Sequence, residues 1–134
     1  MTLAEIKEQV MFQTNNDAED VGDFLPALRD YVNEGYDRLV YAYAHQHVDD
    51  TSDYPPLEMD MDEPDLPGWT HRAVADFATW LVYRNGNPQK QNRGMAYLRA
   101  FEEMLTRIAE CGGIDGLDEN GKQKRYRNFI NIPR

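Results

Sequence analysis

The chain predicts a mostly α-helical fold: a small bundle of three main helices preceded by a short N-terminal one. Three observations lead there. Apolar residues recur at spacings of three and four through several stretches. Helix start and stop signals bracket those stretches. Four of the seven prolines fall together in one acidic segment between them, where no regular helix can run.

Residues 2–14 read as the short first helix. Thr2 and Glu5 have capping-box spacing, and Leu3, Ile6 and Val10 share one face. Asn15, Asn16 and Asp17 read as a break. The second and longest helix is predicted over 23–47, with Asp23 as N-cap and Pro26 in its first turn. Leu25, Leu28, Val32, Tyr36, Leu39 and Tyr43 form its stripe; Tyr31, Val40 and Tyr41 widen it.

Residues 49–68 interleave eight acids with Pro55, Pro56, Pro64 and Pro67. So long a loop is uncommon in a compact domain and tends to be functional or mobile. A solvated loop is the plainest expectation, with a short hairpin or extended excursion at Leu57–Met61. The third helix, over 70–84, is apolar almost all round, so it lies at the centre or against another subunit. Asn85 and Gly86 end it. Asn87 and Pro88 open the fourth as N-cap and N1. Its stripe is Met95, Leu98, Phe101, Leu105 and Ile108, and Cys111-Gly112-Gly113 stops it.

The 134 residues suggest one domain, organised as a helical body over 1–113 and an arm over 114–134. Net charge is −10, so phosphates are repelled from the body and nucleic-acid binding by a basic face is unexpected. From Glu119 onward, one acid stands against Lys122, Lys124, Arg125, Arg127 and Arg134, so residues 1–118 carry −14. A single cysteine, Cys111, excludes an internal disulfide and a multi-cysteine zinc site. An intracellular origin fits. No signal-peptide pattern or membrane-spanning run is present, so a soluble, unexported protein is expected.

Chemistry-bearing constellations are few. His45 and His47 are two apart on a helix and face different sides, and His71 is distant in sequence, so no metal site is expected. Residues 116–127 align with a calcium loop at Asp118, Asn120 and Gly121, but Gly116 and Arg127 occupy the positions of the main carboxylate ligands. Cys111 has no nearby histidine, and the Gly112-Gly113 pair follows a helix instead of preceding one. Neither an enzyme nor a cofactor is expected. The carboxylates Asp60, Asp62 and Asp65 in the proline-rich segment are a candidate second interface.

The arm is the exception to the acidic pattern. Lys124, Arg125, Tyr126, Arg127, Phe129, Ile130 and Ile132 combine positive charge with more apolar area than a solvating tail needs. Such a segment reads as an assembly arm that adds to a neighbour as a strand or lies extended in a groove. The third helix and Tyr41 and Tyr43 add apolar surface beyond what a monomer of this size readily hides, which favours a homo-oligomer.

The layout resembles the head–tail connector (neck adaptor) proteins of tailed bacteriophages. The matching pieces are the first helix over 3–13, DFLPALRDYVNEGYDRL over 23–39 and Leu66-Pro67 leading into HRAVADFATWLVY over 71–83. Gly86-Asn87-Pro88, the amphipathic helix to Ile108 and the C-terminal arm follow. The likeness is one of layout and covers nearly the whole chain. It implies a virion protein of the capsid–tail neck, made in the host cytoplasm. Its copies form a ring, commonly of twelve, beneath the portal protein, and the other face receives the next neck or tail protein. The C-terminal arm docks on the portal, and DNA transits the channel without specific binding. The rival expectation is an acidic DNA mimic or regulatory protein that occupies the basic groove of a nucleic-acid-handling enzyme through residues 49–68.

Overall fold

The computed structural model describes residues 1–14, 24–47 and 54–110. Four α-helices account for most of them: α1 (Leu3–Thr14), α2 (Leu28–His47), α3 (His71–Arg84) and α4 (Pro88–Glu110). Two single 3-10 turns, Leu25–Ala27 and Gly68–Thr70, lead into α2 and α3. No strand occurs among the described residues. The helical bundle is as the sequence predicts; the arm from 114 onward lies outside the described residues.

The capping box forms as its spacing requires. Thr2 N–H donates to Glu5 Oε1 at 2.9 Å, and Glu5 N–H donates to Thr2 Oγ1 at 3.2 Å. The hydrogen bonds from Thr2 hold the exposed Glu5 carboxyl below its usual range. Leu3, Ile6 and Val10 are fully buried along the face below it.

The second helix begins later than predicted. Pro26 sits in the 3-10 turn, where Ala27 N–H bonds the Phe24 carbonyl at 3.1 Å, and α2 proper starts at Leu28. That tighter winding takes Leu25 out of the α-helical register, so Leu25 is 56% exposed instead of opening the stripe. Asp23 lies outside the described residues. From Leu28 the stripe holds: Leu28, Val32, Tyr36, Leu39 and Val40 are all buried.

α3 is the central element. It packs against α4, α2 and α1, in that order of extent. Ala73, Val74, Ala75, Phe77, Ala78, Leu81, Val82 and Tyr83 are buried on every side of it. Of the two readings open for an all-apolar helix, its own chain supplies the cover. The surplus apolar surface expected on this helix is therefore not surplus: three helices of the same chain consume it.

Two glycines let α3's neighbours come close. A Cβ on Gly94 in α4 would lie 2.6 Å from Tyr83 Cβ, and one on Gly35 in α2 would lie 3.2 Å from Phe77 Cβ. Aromatic rings from these contacts pair across the α3–α4 seam, one pair tilted and one stacked. Phe77 and Phe101 ring centroids are 4.6 Å apart, and Tyr83 and Tyr97 stack at 6.2 Å. Along α4, Phe101 and Ile108 are buried and Leu98 and Leu105 pack against the core, whereas Met95 is only half-buried beside Gly94.

The α3–α4 corner follows its sequence signals. Gly86 N–H bonds the Tyr83 carbonyl at 3.0 Å, and Asn87 Oδ1 accepts from Lys90 N–H at 3.0 Å with Pro88 at the first helical position.

Candidate functional site

The proline-rich segment is anchored where the sequence predicts a solvated loop. Leu57 is buried, and the Asn33 carboxamide of α2 binds both its backbone groups. Leu57 N–H donates to Asn33 Oδ1 at 2.7 Å, and Asn33 Nδ2 donates to the Leu57 carbonyl at 2.9 Å. Tyr36 Oη, also on α2, accepts from Asp65 N–H at 3.0 Å, and burial pushes the Tyr36 phenol pKa up. Between these anchors the chain makes a tight turn, not the hairpin the alternation of Leu57–Met61 suggests. Asp62 Oδ2 accepts from both Glu58 and Met59 N–H at 2.9 Å, and Asp62 N–H returns to the Met59 carbonyl at 2.9 Å. Those amide bonds hold the Asp62 carboxyl below its ordinary pKa.

The same turn completes α1. The first amides of a helix have no partner within it. Here Leu3 N–H donates to the Asp62 carbonyl at 2.7 Å and Ala4 N–H to the Asp60 carbonyl at 3.1 Å. Lys7 on α1 lies 3.7 Å from Asp60. The turn thus belongs to the body and presents Met59 and Met61 outward, at 69% and 80% exposure.

The three carboxylates of the candidate second interface therefore differ in their engagements. Asp62 is half-buried and holds the turn. Asp60 is exposed and pairs with Lys7. Asp65 is exposed beside Tyr36. Together they form no single carboxylate face of equal, outward groups. The arm residues Lys124, Arg125, Tyr126, Arg127, Phe129, Ile130 and Ile132 lie outside the described residues, as does Cys111.

A second surface lies on the seam of α2 and α4. Glu34, Asp37, Arg38, Val40, Tyr41, Ala42 and Leu105 line an open groove of about 660 Å³. Tyr41 is 68% exposed at its edge. The Arg38 guanidinium lies 4.9 Å from the Phe77 ring centroid, over its face. Asn33 and Tyr36 hold the proline-rich turn, whereas Arg38, Tyr41 and Ala42 line the groove. At 3.6 residues per turn these two sets fall on different sides of α2.

Two polar clusters occupy the core's edge. Gln13 Nε2 donates to Asp76 Oδ1 at 2.9 Å across α1 and α3. The Thr79 hydroxyl shares its proton between Gln13 Oε1 and the Ala75 carbonyl, 2.9 Å from each, and Tyr83 Oη donates to the Gln13 carbonyl at 3.3 Å. Burial raises the Asp76 carboxyl to about 6, against the opposing pull of Arg72 at 3.7 Å and of Gln13. At the other end of the α1–α3 seam, His71 Nε2 donates to the Leu66 carbonyl at 2.9 Å, and Nδ1 accepts from the Met1 amino group at 2.7 Å. Burial pushes the His71 pKa down, so the ring is held neutral.

These clusters join elements to one another. Among the described residues, no three His, Cys, Asp or Glu side chains converge as a metal site requires. No helix among them is long and apolar enough to cross a membrane. Sequence reasoning missed Asn33, Gln13 and Asp76, whose long-range partners lie 24 to 70 residues away. It also missed Gly35 and Gly94, whose role shows only once α3 is in place. Compared with protein-family models, curated proteins and solved structures, the chain matches none.

Proposed function

We propose that this chain is a structural subunit of a phage head–tail connector, forming a ring between the portal and the tail through which DNA passes. The observation that carries the reading is how apolar surface is distributed. The apolar residues of the central helix are buried within the chain, Trp80 partly so. What remains outside among the described residues lies on unlike features: the end of α1 at Met11 and Phe12, Leu25 ahead of α2, the Met59–Met61 tip and the Tyr41 edge of the α2–α4 groove. Unlike surfaces join head to tail, and such contacts close into rings when the rotation allows. The acidic composition supports the same reading, because a channel wall of carboxylates offers phosphates no ion pairs. In this reading residues 114–134 latch the ring to the portal or to a neighbour. The DNA-mimic alternative gains less from Asp62 than from a fully outward carboxylate, since its Oδ2 accepts two amides of the turn.

The test is a pull-down from infected-cell lysate with the full chain, tagged at the N-terminus so that the arm stays free. Recovery of a portal or tail-completion protein, lost on truncation after Gly113, is the expected result. Recovery of a nuclease or polymerase instead, abolished by neutralising Asp60, Asp62 and Asp65, would transfer the assignment to the acidic mimic.

A further inference from the structure

The α2–α4 groove combines an apolar floor with a charged rim. Its floor is apolar, with Val40, Ala42 and Leu105, and its edge carries the exposed Tyr41 ring. Its charged rim is Glu34, Asp37 and Arg38, all exposed; Arg38 stacks on Phe77, and the two carboxylates leave the rim with one excess negative charge. An occupant must therefore bring apolar side chains and positive charge together. Within this chain one segment does so: residues 124–132, with Lys124, Arg125 and Arg127 beside Tyr126, Phe129, Ile130 and Ile132.

Chain length permits the match. α4 ends at Glu110, five residues past the groove residue Leu105, or about 8 Å at 1.5 Å per residue. Thirteen residues, 111–123, then precede Lys124. Their span is at most about 45 Å, a reach that includes the groove of the same chain and that of an adjacent copy.

We propose that the α2–α4 groove is the seat of residues 124–132 of a neighbouring copy. The inference rests on the ring reading and names the contact that would join one subunit to the next. The match is one of composition: the arm's apolar residues suit the floor of Val40, Ala42 and Leu105, and its cations suit Glu34 and Asp37. Because arm and groove are different surfaces, each copy gives one contact and receives one, and the chain of contacts closes into a ring when the rotation between copies allows. Every individual contact is modest, and closure multiplies them.

The experiment uses full-length protein with Cys111→Ser as background. One preparation carries Ala42→Cys in the groove and the other Ile130→Cys in the arm. They are mixed and treated with a short bismaleimide. A covalent dimer is expected, at several-fold the yield obtained when Asn92→Cys, on the exposed start of α4, replaces the groove cysteine. Glu34→Lys with Asp37→Lys should reduce that yield several-fold, and adding Lys124→Glu, Arg125→Glu and Arg127→Glu should restore it. A dimer yield no higher than the Asn92 control overturns the proposal. So does a third preparation, carrying both Ala42→Cys and Ile130→Cys, that links only within single chains. The pull-down above reads the connector assignment independently. Portal recovery without the cross-link leaves the connector and removes the groove contact; the cross-link without portal recovery does the reverse.

Discussion

The Asn33 carboxamide grips Leu57 by both ends of its peptide backbone, at 2.7 Å and 2.9 Å. It stands where a β-strand partner would, so an irregular, proline-flanked segment acquires the pairing it cannot make for itself. Leu57 is buried at this point, so loss of the grip strands a donor and an acceptor away from water.

Asn33→Ala should therefore destabilise the protein by about 2 kcal/mol, within the range for leaving buried polar groups unpaired. Urea denaturation should show a lower midpoint with the slope unchanged. Limited proteolysis should cut within 54–67 sooner than in the parent. Asn33→Asp keeps the acceptor but sets a carboxylate against the Leu57 carbonyl, and should fall at least as far.

The two packing glycines should respond unequally to alanine. On an exposed helix Gly→Ala gains up to about 1 kcal/mol. At Gly94 the new methyl meets Tyr83 Cβ at 2.6 Å, and a Cβ rooted in a neighbouring helix cannot swing aside. Gly94→Ala should cost about 1–3 kcal/mol, as overpacking does. At Gly35 the nearest approach is 3.2 Å, so Gly35→Ala should be distinctly milder. Paired thermal unfolding curves measure the order; equal midpoints for the two variants would refute it.

Asp76 should make the protein less stable as pH rises. Its folded pKa, about 6, lies above the ordinary 3.8, so the native state binds the proton more tightly than the unfolded chain. Stability from this group is full below about 4 and is lost as pH rises towards 6. Asp76→Asn keeps an oxygen for Gln13 Nε2 and removes the titration. The difference in unfolding free energy, Asp76→Asn minus parent, should therefore grow between pH 4 and 7, by on the order of 1–3 kcal/mol.

His71 should act in the opposite direction. Its folded pKa is lowered by burial, so the native state resists the proton. Its contribution is full above the ordinary value of 6.5 and is lost as pH falls below it. NMR titration of the ring should give a midpoint under 6.5. Relative to His71→Gln, the parent should weaken on acidification through that window.

Much of this fold is legible because its signals are local. Thr2 with Glu5, and Asn87 with Pro88, satisfy amides within one turn of themselves, and the structure uses both as written. The start of α2 was less legible, since Pro26 suits the first turn of an α-helix and a 3-10 turn equally, and Leu25 changes sides between them. Leu57 could not be read as buried, because its partner is set by the packing of α2. Gly94 reads in isolation as a weak point in a helix. Only the Tyr83 backbone position shows that the missing methyl is what lets α4 close on α3. For the candidate surfaces, composition revealed the acids and the arm, but the groove is made by residues from two helices, with about sixty residues between them.

The junction of α1 with the Asp60 and Asp62 carbonyls has a bearing on the order of events during synthesis. The helix is translated first, yet the groups that satisfy its leading amides are made about sixty residues later, and its apolar face waits still longer for α3. Short helices are marginal alone in water. The N-terminal segment therefore leaves the ribosome as an unfinished strand of peptide and joins the body late. In the folding transition state its side chains should register little of their native interactions, while the α3–α4 hairpin, whose contacts are near in sequence, organises the molecule.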